Sequence, residues 1–243
     1  MPKRFCVISQ PRSGSNFLLA LLNSHPEIIC HGELFHRRAI YSKLRRWPVE
    51  QRSAGKLSAL LTRNMAPRLF LNNHMSMSQD AWPTANAIGF KHFPSYSRRI
   101  LRYVCRSPEY EIIYLSRINT VLQYASERTA RNTDIWVSRE PRQQDGNAVR
   151  VSFSMQDFLY YVDKLNRYDK LVRSALGDKS FLEIAYEDME SQLPVILERL
   201  GVGHSELRSR IKKQGSEDWV ERFSNPDSVQ DALKSTKFAE HLR

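Results

Sequence analysis

The stretch that decides the fold runs from Phe5 to Phe17 and reads FCVISQPRSGSNF. A short apolar run breaks into a polar turn that contains Gly14, and apolar residues at helical spacing continue to Leu22. We therefore predict a strand, a tight turn and the start of a helix, which should end near His25 because Pro26 follows. Such a turn points backbone N–H groups and the positive end of a helix at one place, which makes an anion site. Arg12 lies in the turn and adds planar, forked donors suited to a phosphate or a sulfate.

The turn lacks the residues that nucleoside triphosphatases use. Their loop reads G-x-x-x-x-G-K-[ST], and Gly14 takes its second glycine. Ser9 replaces the first glycine, Ser15 the lysine, and Asn16 the hydroxyl residue that holds magnesium. The loop is thus poorly equipped for ATP or GTP hydrolysis, which weighs against a nucleotide kinase-like protein. An ordinary strand-to-helix turn with serine caps is the alternative that needs no ligand.

The string PRSGS, residues 11–15, resembles the 5′-phosphosulfate loop of sulfotransferases that use 3′-phosphoadenosine 5′-phosphosulfate (PAPS). That family's loop reads roughly Pro-Lys/Arg-Ser-Gly-Thr/Ser-x-aromatic or Leu. The resemblance implies that Arg12 contacts the leaving phosphate and that Phe17 lies near the adenine. The residues that it assigns to the donor are Pro11, Arg12, Ser13, Gly14, Ser15, Asn16 and Phe17.

Length and composition fit one domain that spans residues 1–243, with candidate mobile segments at 37–68 and 134–149. We see no apolar run of membrane-spanning length and no secretory signal. The three cysteines lack metal spacing and indicate reduced thiols. We therefore expect a cytoplasmic protein without a membrane span.

The formal net charge of +11 indicates an anionic partner. No helix-turn-helix, zinc or RNA-binding pattern accompanies that charge, so we expect no specific nucleic-acid partner. A basic face around a PAPS pocket accounts for the charge. A basic protein that holds an anionic partner without chemistry is the rival from another class. The sequence does not predict the oligomeric state.

Apolar runs with strand character alternate with segments of helical spacing along the chain. This alternation predicts an α/β, P-loop-like, three-layer fold in which helices flank a central, mainly parallel sheet. Ligands of such sheets bind at the carboxyl ends of the strands. The predicted strands after the first are 27–30, 87–90, 110–115 and 181–185, and the predicted helices after the first are 95–106, 120–133, 155–176 and 193–200.

A second segment, residues 117–136, follows one of these strands. In sulfotransferases an arginine after such a strand and a serine eight residues later bind the 3′-phosphate; here Ser126 follows Arg117 by nine residues. The segment is similar to that of bacterial carbohydrate sulfotransferases that modify nodulation factors, trehalose and lipopolysaccharide. The matching residues are Arg117, Gln123, Ser126, Ala130, Thr133 and Trp136.

Two later segments also resemble the family. FLEIAYEDM, residues 181–189, resembles its strand followed by Tyr-Glu-Asp, which implies that Tyr186 packs on the adenine. IKKQGSEDW, residues 211–219, is similar to a loop that contacts the 3′-phosphate in cytosolic members, which implies that role for Lys212 and Lys213. The alternatives are a core tyrosine and a solvated basic turn.

Sulfuryl transfer needs a base to take the proton of the acceptor hydroxyl. Glu33, in CHGELFH, matches the glutamate proposed as base in the bacterial carbohydrate enzymes, whereas His92, in KHFP, resembles the histidine base of phenol- and steroid-type enzymes. We favour Glu33. The resemblance implies a PAPS-dependent transfer to a small-molecule or glycan hydroxyl, with 3′,5′-adenosine diphosphate (PAP) as product and no metal. A phenol or lipid alcohol is the alternative acceptor, paired with His92.

Overall fold

The computed structural model describes residues 1–44, 54–136, 149–209, 211 and 216–242. Within them, five parallel strands form one sheet in the order β2-β3-β1-β4-β5. The strands are β1 Lys3–Ser9, β2 Ile28–Glu33, β3 Ala87–His92, β4 Tyr110–Ser116 and β5 Leu182–Ala185. The helices are α1 Ser15–Leu22, α2 Ala54–Met65, α3 Pro67–Ala81, α4 Arg98–Arg106, α5 Thr120–Thr133, α6 Met155–Leu176, α7 Leu193–Leu200 and α8 Pro226–Leu233.

Strand β1 lies in the middle of the sheet and is buried on both faces. Cys6 and Ile8 pack into one apolar cluster, while Phe5 and Val7 pack into another on the opposite face. Successive residues of a strand point to opposite faces, so one continuous apolar run supplies both cores. The result is a three-layer α/β fold with a parallel sheet at its centre, which confirms the predicted fold class.

Helices from different parts of the chain cover the two faces. One face packs against α3, α4 and the end of α6. The other packs against α1 and α7. A third cluster joins α5, α6 and α8 around Tyr124, Phe158 and Phe223, and so ties residues 216–242 to the domain.

The connections diverge where β1 meets β4. The chain leaves β1 through α1 towards β2, and it leaves β4 through α5 and α6 towards β5, on the opposite face. Divergent connections open a crevice at the carboxyl ends of adjacent parallel strands. The loop after β1, residues 10–14, lies at that crevice.

Several predicted boundaries were wrong. Two strands are longer than predicted, because pairing between strands overrides the local pattern. β2 continues to Glu33, which pairs with Lys91 after a register shift at His31, and β3 continues to His92, which pairs with Ile8 of β1. Helix α1 ends at Leu22, with Asn23 as its C-cap, rather than near His25. Helix α3 was not predicted; it buries Phe70, Leu71 and Met75 along one face of an otherwise polar segment.

Parts of the two candidate mobile segments lie outside the described residues, namely 45–53 and 137–148. The described part of 37–68 contains α2 and the start of α3. The single-domain prediction and the mobility of these segments stay predictions. No helix in the described ranges is long and apolar enough to cross a membrane. The same ranges hold no cluster of three or more His, Cys, Asp or Glu side chains arranged for a metal ion.

Candidate functional site

The loop after β1 has the backbone of an anion site. Arg12 has φ of 61° and Gly14 has φ of 76°, both in the left-handed region. Ser13 is fully buried beneath the loop, where its Oγ donates to the carbonyl of Gln10 over 2.7 Å. Leu18 N donates to the carbonyl of Gly14, so the N–H groups of the first turn of α1 have no acceptor within the helix. They point into the crevice with the positive end of the helix dipole.

Gly14 packs against Tyr186. A Cβ on Gly14 would lie 2.2 Å from Tyr186 Cδ2, closer than any two carbon atoms can approach without a bond. The left-handed φ adds a second reason for glycine, because a side chain there costs about 1–2 kcal/mol. Tyr186 itself is fixed by its backbone N–H, which donates to the carbonyl of Ser116 over 2.9 Å. The ring of Tyr186 therefore forms one wall of the loop.

Arg12 turns back over helix α5. Its Nε donates to Ser126 Oγ over 2.9 Å, and its Nη1 donates to the carbonyl of Trp136 over 2.8 Å. Burial lowers the pKa of Arg12, and the nearby Glu127 carboxylate raises it in opposition. An arginine stays protonated under these conditions. Its charge is thus fixed beside the loop amides before any ligand arrives.

Arg117 follows β4 and lies on the other side of Tyr186. Its guanidinium carbon lies 4.7 Å from the centroid of the Tyr186 ring, within cation–π range. Its Nη1 donates to the carbonyl of Arg12 over 3.4 Å, and its Nε lies 3.8 Å from Glu187 Oε1. Burial lowers the pKa of Arg117, while Tyr186 and Glu187 raise it. Arg12 and Arg117 therefore both lie at the loop, and Arg117 also covers the ring of Tyr186.

Helix α5 holds the loop in place from below. Gln123, buried in α5, donates through Nε2 to the carbonyl of Pro11 over 2.7 Å. Asn119 caps the helix by accepting from Leu122 N. The cap and the buried amide fix the start of α5 against the loop, which places Ser126 one turn further on beside Arg12.

Glu33 is the last residue of β2 and lines the same crevice as Arg12. Its Oε1 lies 2.7 Å from Lys91 Nζ, and its Oε2 accepts a hydrogen bond from Tyr96 OH over 2.7 Å. Lys91 also donates to Asn16 Oδ1 over 2.6 Å, which links this carboxylate to the first turn of α1. Burial lowers the pKa of Lys91, and the adjacent Glu33 carboxylate raises it in opposition. A partly buried carboxylate and a buried ammonium thus lie next to the loop.

These groups line one cleft of about 590 Å³. That volume suits a ligand of nucleotide size or larger. The loop, the ring of Tyr186, Glu33 and Lys91 line it together with a set of partly or largely exposed aromatic side chains, which we call the rim. The rim rings are His36, Tyr41, Phe93, Tyr96, Trp136 and Tyr168.

A profile described as "Sulfotransferase family" matches residues 4–203. The chain belongs to the sulfotransferase family. The matched range contains the loop, Glu33, Arg117 and Tyr186, and accordingly the protein is an enzyme that transfers a sulfuryl group.

The chain is similar in sequence or in structure to the following known proteins. The chain is 26% identical over 223 residues to nodulation protein H of Rhizobium tropici, which covers 89% of this chain and 82% of the relative. It is 26% identical over 139 residues to nodulation protein H of Rhizobium meliloti (strain 1021), which covers 56% and 51%. The sulfotransferase domain of the Synechococcus PCC 7002 olefin synthase aligns with a TM-score of 0.46 at 18% identity, over 97% of this chain and 89% of that one.

Most residues predicted from the sulfotransferase resemblance lie in the cleft. The predicted residues that line it are Pro11, Arg12, Gly14, Ser15, Asn16, Phe17, Glu33, Arg117, Ser126 and Tyr186. Ser13 lies beneath the loop and supports it from inside. Lys212 and Lys213 lie outside the described residues.

His92 is not among the cleft-lining residues. It follows Lys91 on β3, so its side chain points to the opposite face of the sheet. It is fully buried, and its Nε2 lies 3.2 Å from the carbonyl oxygen of Ser97. Burial lowers the pKa of His92 to about 4. The structure thus separates the two candidate bases, with Glu33 in the cleft and His92 behind it.

Arg222 is a cationic residue that the sequence reasoning missed. It lies in a 3₁₀ turn, Val220–Arg222, beyond the range that matches the sulfotransferase profile, and it is 8% exposed. Burial and the charges of Arg117 and Arg12 lower its pKa to about 10. No local pattern marks this arginine, which is not among the described cleft-lining residues; its neighbour Phe223 packs against Tyr124 of α5.

Lys91 and Tyr96 were missed as well. In the segment KHFP, the histidine is the predicted candidate base, whereas Lys91 is the residue that lines the cleft. Side chains alternate along β3, so either Gly89 and Lys91 or Phe90 and His92 face the loop, but not both pairs. Only the pairing of β3 with β2 decides which parity faces Glu33.

Proposed function

We propose that this sulfotransferase moves the sulfuryl group of PAPS to a hydroxyl of a carbohydrate or glycolipid, by in-line displacement with Glu33 as base. One observation carries the proposal: Arg12, held by Ser126, and the Glu33 carboxylate line the same cleft as the loop after β1. The displacement needs positive charge on the leaving side and a base on the attacking side. The cleft offers both.

The donor fits the loop end of the cleft. The amides of residues 13–17 and the guanidinium of Arg12 would hold the 5′-phosphosulfate. Arg117 and Ser126 would hold the 3′-phosphate, and Arg222 adds to the same positive field. Tyr186 and Phe17 would pack on the adenine, where stacking contributes about 1–3 kcal/mol. We extend the 3′-phosphate site to Lys212 and Lys213 on the strength of their resemblance alone.

The chemistry follows from this placement. The acceptor oxygen forms a bond to sulfur while the bond from sulfur to the phosphate oxygen breaks, and the electron pair stays on the phosphate. Arg12 and the loop amides stabilise that charge in the transition state. The acceptor's proton passes to Glu33. No step in this scheme calls for a metal ion.

The rim of the cleft suits a sugar. His36 lies edge-on to both Tyr41 and Tyr96, with ring centroids 5.3 and 5.4 Å apart. Such rings combine apolar faces with polar edges, as a pyranose combines C–H faces with hydroxyl edges. The resemblance of residues 117–136 to bacterial carbohydrate enzymes points the same way. A phenol or lipid alcohol as acceptor, with His92 as base, is the alternative.

Thermal-shift titration tests the donor. PAP should raise the unfolding temperature without magnesium, and ATP should raise it less. The reverse ranking, or an ATP effect that needs magnesium, would favour a kinase-like protein. A screen of sugar, phenol and lipid alcohol acceptors with labelled PAPS then decides the acceptor class. Transfer to phenols alone would overturn the carbohydrate assignment.

A further inference from the structure

Tyr96 makes a contact with the proposed base that no step of the transfer accounts for. Its phenol donates to Glu33 Oε2 over 2.7 Å, while Lys91 occupies Oε1 at 2.7 Å. Both oxygens of the carboxylate therefore carry a donor. An acceptor hydroxyl that approaches Glu33 therefore meets a carboxylate that already accepts two hydrogen bonds.

The two donors differ in how firmly they are held. Lys91 belongs to β3, its side chain is 2% exposed, and it has a second acceptor in Asn16 Oδ1. Tyr96 lies in the turn between β3 and α4 and is only half-buried. Its ring meets His36 and Phe93 edge-on, with centroids 5.4 and 5.3 Å away. A turn residue on the cleft rim moves more easily than a buried strand residue, so Tyr96 is the donor that can leave.

Tyr96 acts on Glu33 as a donor only. Burial raises its pKa far above the ordinary value, and the Glu33 charge raises it further, so the phenol keeps its proton. A neutral phenol on a carboxylate makes a charge-assisted hydrogen bond, which is stronger than one between neutral groups. Oε2 is therefore shielded from a weak competitor such as water.

We propose that Tyr96 is a positioning residue that occupies Glu33 Oε2 until the acceptor hydroxyl displaces it, and so suppresses hydrolysis of the donor by water. This inference rests on the proposed role of Glu33 as base. An acceptor sugar has further contacts with the cleft rim, and these offset the loss of the phenol hydrogen bond. A water molecule has none.

Hydrolysis of the donor would proceed by the same displacement at sulfur as the transfer. A water oxygen forms a bond to sulfur, the bond from sulfur to the phosphate oxygen breaks, and the electron pair stays on PAP. The water proton passes to Glu33 Oε2 and from there to solvent. The products are sulfate and PAP. With the phenol donating to Oε2, a water molecule has to compete with that hydrogen bond for the oxygen that would take its proton.

An assay without any acceptor tests the proposal on the full chain. Sulfate release from labelled PAPS is compared for the wild type, Tyr96→Phe and Tyr103→Phe. Tyr103 is a matched control, since it is also half-buried and its phenol donates to Asn72 Oδ1 over 3.2 Å, away from the cleft lining. Loss of one hydrogen bond to a charged group corresponds to a change of roughly tenfold or more. We expect hydrolysis to rise about tenfold in Tyr96→Phe and to stay unchanged in Tyr103→Phe.

Further variants separate this inference from the role of the base. In Tyr96→Phe/Glu33→Gln the hydrolysis should return to the wild-type level or below, because the freed base is gone. Tyr96→Leu, which also removes the hydroxyl, should raise hydrolysis as Tyr96→Phe does. Stabilisation by PAP in each variant confirms that the donor site is intact.

Two outcomes overturn the inference while the proposed function stands. One is hydrolysis in Tyr96→Phe and Tyr96→Leu at or below the wild-type rate. The other is a rise that persists in Tyr96→Phe/Glu33→Gln although Glu33→Gln alone abolishes transfer. If the wild type is not stabilised by PAP, or Glu33→Gln transfers normally, the proposed function fails and this inference falls with it.

Discussion

Arg12 Nε donates to Ser126 Oγ over 2.9 Å, a contact between residues 114 positions apart. It joins the loop after β1 to helix α5 and holds the guanidinium in the cleft. Since the two side chains act as one unit, their effects on donor binding should not add. We expect Ser126→Ala alone to weaken PAP binding about tenfold, and the loss in Arg12→Ala/Ser126→Ala to be smaller than the sum of the two single losses, because part of the Ser126 effect acts through Arg12. Calorimetric titration of the four proteins with PAP measures this; strictly additive losses would contradict it.

Removing Arg12 should impair the chemical step. Arg12→Ala is expected to cut sulfuryl transfer roughly 100-fold or more, the scale of losing one donor to transition-state charge. Arg167→Ala is the control, because that arginine is exposed and pairs with Asp163 on the surface of α6. Turnover by Arg12→Ala at the wild-type rate would remove Arg12 from the mechanism.

The choice of base has a direct test. Glu33→Gln should bind PAP nearly as the wild type does but lose transfer, because the amide cannot take the acceptor proton. His92→Gln keeps a donor for the carbonyl of Ser97 and is expected to retain activity. The two variants are compared by initial rates and by PAP stabilisation. If Glu33→Gln turns over and His92→Gln does not, His92 is the base and a phenol or lipid alcohol becomes the favoured acceptor.

Substitution of Gly14 and of Gly177 separates the effect of backbone strain from the effect of the close approach of Tyr186. Both have positive φ, but a Cβ at Gly177 would meet nothing within 4 Å, whereas at Gly14 it would collide with Tyr186. Gly177→Ala should lower the free energy of unfolding by about 1–2 kcal/mol. Gly14→Ala should lower it further and weaken PAP binding more than tenfold. Urea unfolding and PAP titration measure both; equal losses in the two variants would contradict the packing of Gly14 on Tyr186.

Stability should fall as the pH drops from neutral towards 4. Burial lowers the pKa of both His92 and His74 to about 4, below the ordinary 6.5 of the unfolded chain. Between these values the unfolded state binds more protons, so the free energy of unfolding rises with pH in that window and is lost as pH falls through it. Each histidine contributes roughly 3 kcal/mol.

Urea unfolding at pH 7.5, 6 and 4.5 measures this slope. His92→Gln should flatten it, whereas His204→Gln, at an exposed histidine, should leave it unchanged. An identical slope in wild type and His92→Gln would show that the burial of His92 has no such effect.

Local sequence patterns were sufficient to predict much of the fold. The strand, turn and helix of residues 5–17 were predicted at their places, and α5, α6 and α7 begin and end at the predicted residues. Their ends carry local signals: Asn119 and Ser154 accept from the N–H groups of Leu122 and Asp157, and Gly201 caps α7 with positive φ. Caps and periodicity act within a few residues, so a sequence displays them directly.

The loop and its neighbours were also predictable as a cleft. Arg12, Arg117 and Tyr186 each follow a strand in the sequence, and parallel strands bring their carboxyl ends to one edge of the sheet. A residue that directly follows such a strand needs no further information to be placed near the ligand.

Only the tertiary structure decided the rest of the site. Lys91 rather than His92 faces Glu33, because the register between β2 and β3 fixes which face each residue takes, and a shift of one residue would exchange them. Arg222 reaches the arginines through the packing of a distant aromatic cluster. The sequence by itself determined the elements and the anion loop, since these depend on neighbours along the chain. The partners of Glu33 depend on pairing and packing between distant segments, which no local pattern encodes.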